Sequence, residues 1–189
     1  MVTDDPGHRS RRAVLAASAG LGTTLLAGCL GEGSGGETAG EGTGDGSNGG
    51  QSAAWRTTSL TRVRGDATFT IDGLEAPIVM QSFAVWCPKC ERQSKALGDL
   101  PDAYTVVSLN TDPNEDAKKV RRHADSNGFD WLFAVSPSAM TDSLVDAFGR
   151  TVTNAPSTPL VVVRTDGSVT FDAGDVRNAD EVESLADGA

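Results

Sequence analysis

Residues 84–93 read AVWCPKCERQ. Cys87 and Cys90 stand three apart where an apolar run gives way to a charged segment with helical spacing. Upstream, residues 77–86 (PIVMQSFAVW) are almost continuously apolar, the pattern of a central strand covered on both faces. Downstream, Ala96, Leu97 and Leu100 extend a helix that should end by Pro101. A sulfur at that junction sits at a helix N-terminus, where unpaired N–H groups and the macrodipole favour an anion. The thiolate is the attacking species, so Cys87, first in the pair and nearest the solvent end of the strand, is expected to be the nucleophile. Cys90, one turn further in, is expected to resolve the mixed disulfide. Lys89 adds a positive charge of the same sense, and Trp86 serves both as core aromatic and as a platform beside the sulfur.

Other uses of a Cys-x-x-Cys pair fit less well. A closed zinc site needs four ligands, and the chain offers one such hook and two histidines, His8 and His123. His8 falls in a signal-like segment, and His123 reads as a solvated residue of a polar helix. A structural disulfide across so short a loop would constrain the unfolded chain by only about 2 kcal/mol or less.

The flanking sequence alternates strand and helix patterns. Residues 60–63 and 67–74 are expected to pair across Arg64-Gly65-Asp66. Residues 105–109 read as a buried strand. Asp112-Pro113-Asn114-Glu115 reads as a helix start, with Ala117, Val120 and Ala124 on one face and Asn127-Gly128 as the stop. A third strand over 131–135 leads to a helix carrying Met140, Leu144 and Phe148, ended by Gly149. Residues 158–163 form a fourth strand, joined through Asp166-Gly167 to a fifth over 168–171, and Val182, Leu185 and Ala186 mark a last helix. The order βαβαβα then ββα predicts an α/β fold with a central mixed β-sheet and helices on both faces.

Trp86-Cys87-Pro88-Lys89-Cys90 resembles the active-site motif of the thioredoxin superfamily, and the wider pattern resembles its extracytoplasmic TlpA/ResA-like branch. Supporting segments are residues 106–112, Ala147-Phe148-Gly149, Pro156-Ser157-Thr158-Pro159 with the apolar run after it, and Asp166-Gly167. The resemblance spans about residues 60–186 and implies a thioredoxin-like fold and disulfide exchange with exported proteins, apocytochrome c thiols among them, with a membrane thiol carrier as redox partner. It implies that Pro159 is cis beside the cysteines and that Thr158 offers backbone groups to an extended substrate segment. The expected site is therefore Cys87 and Cys90, supported by Trp86, Pro88, Lys89, Thr158 and Pro159, with no cofactor and no metal.

Two positions depart from the resemblance. Gln81 stands where thioredoxins carry a buried Asp, and Gln93 where ResA-like proteins often carry a Glu; neither amide exchanges a proton, leaving Glu91 or water to help deprotonate Cys90. Pro88-Lys89 puts proline first, as in glutaredoxin-like and DsbA-like motifs, and leaves the direction of electron flow open. The alternatives of different class are a copper metallochaperone of the same fold, with His123 the available histidine, a peroxiredoxin-like peroxide reductase, and a non-catalytic binding module.

The first 54 residues hold little that could enter a core. Arg11-Arg12 precede fifteen uncharged residues, 13–27, a stretch of only about 22 Å as helix and so a signal h-region rather than a span. The arginine pair resembles a twin-arginine export signal, and Leu26-Ala27-Gly28-Cys29 a lipobox, which implies cleavage after residue 28 and a lipid on Cys29. Residues 31–54, rich in Gly, Ser, Thr and Glu, read as a disordered tether with a reach of about 27 Å. The expected organisation is signal peptide over 1–28, lipidated Cys29 with linker over 29–54, and one domain over 55–189, held at the outer face of the cell membrane. Outside the cytosol a disulfide persists unless a dedicated partner reduces it. The formal charge of −10, with 26 Asp and Glu against 16 Lys and Arg, excludes a nucleic-acid ligand and, with only four lysines, suggests a halophilic source.

Overall fold

The computed structural model describes residues 53–188. The expected signal peptide, Cys29 and nearly all of the linker lie outside them. Among the described residues no helix is long and apolar enough to cross a membrane.

The central sheet has the strand order β5-β4-β3-β6-β7. Its members are β3 (Ile78–Phe83), β4 (Thr105–Asn110), β5 (Leu132–Val135), β6 (Leu160–Val163) and β7 (Val169–Asp172). β3 pairs parallel with β4 and antiparallel with β6, so the sheet is mixed, as the element order predicts. β1 (Leu60–Thr61) and β2 (Thr68–Phe69) make the expected hairpin, but as a separate two-residue ladder.

Alternation along the strands divides the core between two faces. Ile78, Met80, Val107, Leu109, Val161 and Val163 pack with Met140 and Leu144 of α4 (Ser138–Phe148) and with Trp55 of α1 (Ala54–Thr57). Val79, Leu160 and Val162 pack the other way, against Leu97 of α2 (Pro88–Leu97) and Val182 and Ala186 of α5 (Ala179–Asp187). Val120 and Ala124 of α3 (Ala117–Asn127) close the sheet beside Phe83 and Phe133. All six residues of β3 are buried, Gln81 and Ser82 included, which is why that segment reads as a nearly continuous apolar run rather than an alternating one. Each buried Val, Ile or Leu contributes about 1.5–3 kcal/mol.

Three local expectations are corrected. α3 begins at Ala117 with Asp116 as its cap, donated to by Lys119 N–H at 2.7 Å, not at Asp112. Asp112 instead accepts from Asn114 N–H at 2.8 Å, making an Asx turn whose local bond competes with helix formation. α1 begins at Ala54, one residue inside the expected linker, because Trp55 is buried against Phe148, ring centroids 5.4 Å apart. His123 is half-buried rather than solvated: it stacks on Phe83 at 5.7 Å, and burial lowers its pKa.

Candidate active site

The candidate site forms where the central strand ends. β3 stops at Phe83, and Cys87 N–H donates to Ala84 O at 3.1 Å, closing a turn that delivers the first cysteine to the start of α2. Cys87 is the N-cap of that helix, with extended backbone (φ −92°, ψ 106°) and Pro88 at the first helical position, where a missing N–H is harmless. Its Sγ accepts the N–H of Cys90 at 3.2 Å, so sulfur occupies the place a capping oxygen usually takes. That N–H is a fixed donor for negative charge on the Cys87 sulfur.

Cys90 faces the other way. It is 1% exposed, and its thiol donates to Ala155 O at 3.1 Å, a carbonyl that cannot take the proton. Burial, reinforced by a hydrogen bond with Cys87, pushes the Cys90 thiol up to about 12. Cys87 lies beyond the end of β3, as expected, but is only 3% exposed: both cysteines are buried, and hydrogen bonding separates their roles. Both are free thiols in this structure.

The two glutamines have structural duties. Gln81 is fully buried; its Nε2 donates to Cys90 O at 2.9 Å and its Oε1 accepts from Ser94 Oγ at 2.8 Å, tying the first turns of α2 to β3. Gln93, also fully buried, donates to Arg177 O at 3.1 Å and accepts from Arg177 N–H at 2.8 Å, a two-way clamp between α2 and the segment entering α5. Glu91 offers Cys90 no evident help, since it points outward in an ion pair with Lys95 at 2.6 Å. Gln81→Ala leaves the buried Ser94 hydroxyl without its acceptor, removes the side-chain donor to the Cys90 carbonyl and opens a cavity, and is expected to cost about 2–4 kcal/mol, read from urea unfolding. A loss below about 0.5 kcal/mol would contradict that role.

The supporting residues are only partly where the resemblance puts them. Trp86 is 57% exposed and is steered by a hydrogen bond from its Nε1 to Asp112, which holds the Asp112 carboxyl below its usual range. It is thus a platform and not a core aromatic. Lys89 reaches to Gly174 O and Asp175, 3.2 and 3.3 Å away, rather than standing free beside the sulfur. Pro159 is buried next to β3, its carbonyl accepting from Ser82 N–H at 3.1 Å.

The cis expectation is corrected: Thr158-Pro159 is trans, and the cis bond of the described residues is Ala76-Pro77. The chain turns at Thr158 itself, which adopts φ 43°, ψ 57° after a 3-10 turn over Ala155–Ser157. Left-handed backbone costs a β-branched residue about 1–2 kcal/mol, here offset by Thr158 N–H to Ala155 O at 2.9 Å and Oγ1 to Asp175 O at 3.0 Å. The N–H of Thr158, one of the backbone groups expected to meet substrate, is therefore occupied from within.

A groove of about 430 Å³ is lined by Trp86, the residue before Cys87, and by Ala155, whose carbonyl accepts from Cys90, together with Ala84, Asp112, Asn154 and Pro156; neither cysteine lines it. The sequence reading missed the contributions of Asp112, Glu115 and Ala155, whose roles depend on chain crossings that spacing does not reveal. Among the described residues no group of three or more His, Cys, Asp and Glu side chains is placed to hold a metal.

No protein-family model and no curated protein matches this sequence. Solved structures do. A candidate electron transfer protein of Aquifex aeolicus VF5 superposes with a TM-score of 0.56 at 18% identity, covering 68% of this chain and 86% of that one. A thiol:disulfide interchange protein of the thioredoxin family from Chlorobium tepidum TLS gives 0.54 at 16%, covering 70% and 92%. A secreted Mycobacterium tuberculosis disulfide oxidoreductase homologous to E. coli DsbE gives 0.51 at 18%, covering 74% and 100%. The mixed sheet with helices on both faces, the cysteine pair heading α2 and these superpositions together establish that the described residues adopt the thioredoxin-like fold.

Proposed function

We propose that the chain is a membrane-tethered, extracytoplasmic thiol-disulfide oxidoreductase that exchanges disulfides with exported proteins through Cys87 and Cys90. The observation that carries this reading is the asymmetry of the pair: one sulfur caps a helix and accepts an N–H, while the other holds its proton against a backbone carbonyl. The neighbours described as disulfide oxidoreductase and interchange proteins support it. In the reducing direction the Cys87 thiolate attacks a client disulfide, forming a Cys87–client bond and releasing the client's other sulfur, which takes up a proton. Cys90 then loses its proton and attacks Cys87 Sγ, forming the Cys87–Cys90 disulfide and releasing the client's second thiolate. Two electrons pass to the client; the oxidising direction is the reverse.

The tether rests on sequence: the arginine pair, the segment ending at Cys29 and the Gly-rich stretch after it. Apocytochrome c thiols are one client class within this reading, with a membrane thiol carrier resetting the pair. Full-length Cys90→Ser expressed in its own cell should yield mixed disulfides with exported proteins in the membrane fraction, and the mature chain should begin at a lipidated Cys29. A soluble chain with an intact N-terminus would contradict the tether, and no trapped client would contradict the exchange.

A further inference from the structure

The sequence pattern makes Glu115 the acid that completes a helix start, yet α3 begins later and has its own cap in Asp116. Glu115 is instead buried, its side chain showing no exposed surface. Its Oε2 accepts two hydrogen bonds, from Val85 N–H at 2.7 Å and from Asn110 Nδ2 at 2.7 Å. Lys119 Nζ lies 2.8 Å from Oε1, although that oxygen accepts no well-formed hydrogen bond. Asn110 Nδ2 also reaches Phe83 O at 3.3 Å. Asn110 at the end of β4 and Glu115 in the segment after it thus hold both sides of the strand-to-turn junction: the carbonyl at which β3 ends and the N–H two residues ahead of Cys87.

A buried carboxylate is costly to desolvate, and α3 does not need this one as a cap. Its strong, charge-assisted acceptor is directed at the active-site turn. We propose that Glu115 is a positioning residue for Cys87: acting through Val85, it fixes the 84–87 turn so that the Cys87 sulfur stays in front of the Cys90 N–H. The inference rests on the redox reading of the pair and deepens it. Glu115 exchanges no proton and forms no covalent bond. Its effect is the alignment of a sulfur with a donor.

The test follows iodoacetamide alkylation of Cys87 against pH in the full-length chain carrying Cys90→Ser, with peptide mapping to separate Cys87 from Cys29. Glu115→Ala is expected to slow alkylation at pH 7 about tenfold and to displace the profile toward alkali, because the thiolate loses its aligned donor. Glu115→Gln, which keeps an acceptor for Val85 N–H, is expected to stay within about twofold of the parent. If the Ala variant does not fold, Glu115→Asp, one methylene too short to reach Val85, replaces it with the same expected loss. A folded Ala or Asp variant with the parent profile would overturn the proposal. So would a Gln variant as slow as Ala, since charge and not the hydrogen bond would then be the agent. Alkylation needs no client protein, so failure of disulfide exchange would be seen separately.

Discussion

Cys87→Ser is expected to abolish protein disulfide exchange, a fall of about 10³-fold or more, while Cys90→Ser stops the reaction halfway and accumulates mixed disulfide. The difference follows from which sulfur can begin the reaction. Cys87 Sγ caps α2 and faces the Cys90 N–H, whereas Cys90 is sealed behind it with its thiol donating to Ala155 O. Removing the first takes away the sulfur placed to attack a client. Removing the second leaves attack intact but deletes the neighbour placed to release the product. The measurement is turnover of a disulfide-bonded reporter, with non-reducing mass analysis of the Cys90→Ser chain. Trapping on Cys90 in the Cys87→Ser chain would reverse the assignment.

The second large effect is on pH. Resolution requires the Cys90 thiolate, and with both cysteines as thiols Cys90 is pushed up to about 12, chiefly by burial. At pH 7 it is then overwhelmingly protonated. The sign is direct: raising pH removes the proton that blocks attack, so resolution should quicken about tenfold per pH unit from 7 to 10. Single-turnover decay of a preformed Cys87–client disulfide measures this, and a profile flat above pH 8 would contradict it. Among the described residues, the polar side chains near Cys90 are engaged elsewhere. Gln81 and Gln93 are committed to Cys90 O, Ser94 and Arg177, and Glu91 is paired with Lys95 outside. The proton therefore leaves to water or to the departing client sulfur.

Much of this arrangement is legible in residue order. The apolar run before Cys87 becomes β3 because a strand covered on both faces needs no polar alternation, and Pro88 marks the first helical position of α2 because proline fits there without losing a bond. The hairpin at Asp166-Gly167 forms as written, with Gly167 at φ 82°. Where order misleads, a side chain had two possible partners. Asp112 carries a capping residue's chemistry but is used by Trp86 and Asn114, so the cap of α3 lies four residues beyond it, at Asp116. Thr158 was expected to present its backbone to a client, but a bond to Ala155 and another to Asp175, seventeen residues away in sequence, hold it in a left-handed turn. Glu115 gives no sign in sequence that it reaches back thirty residues to Val85. The Glu115 contact depends on the parallel pairing of β3 with β4, which residue spacing does not encode.

Equilibrating the full-length chain in glutathione buffers of graded potential, then mapping its cysteines, tests the central claim most directly. Reversible interconversion of Cys87 and Cys90 between two thiols and one intramolecular disulfide, in a single two-electron transition, is the predicted result, and its midpoint assigns the direction of electron flow. Glutathione adducts that never resolve into a Cys87–Cys90 bond would contradict it.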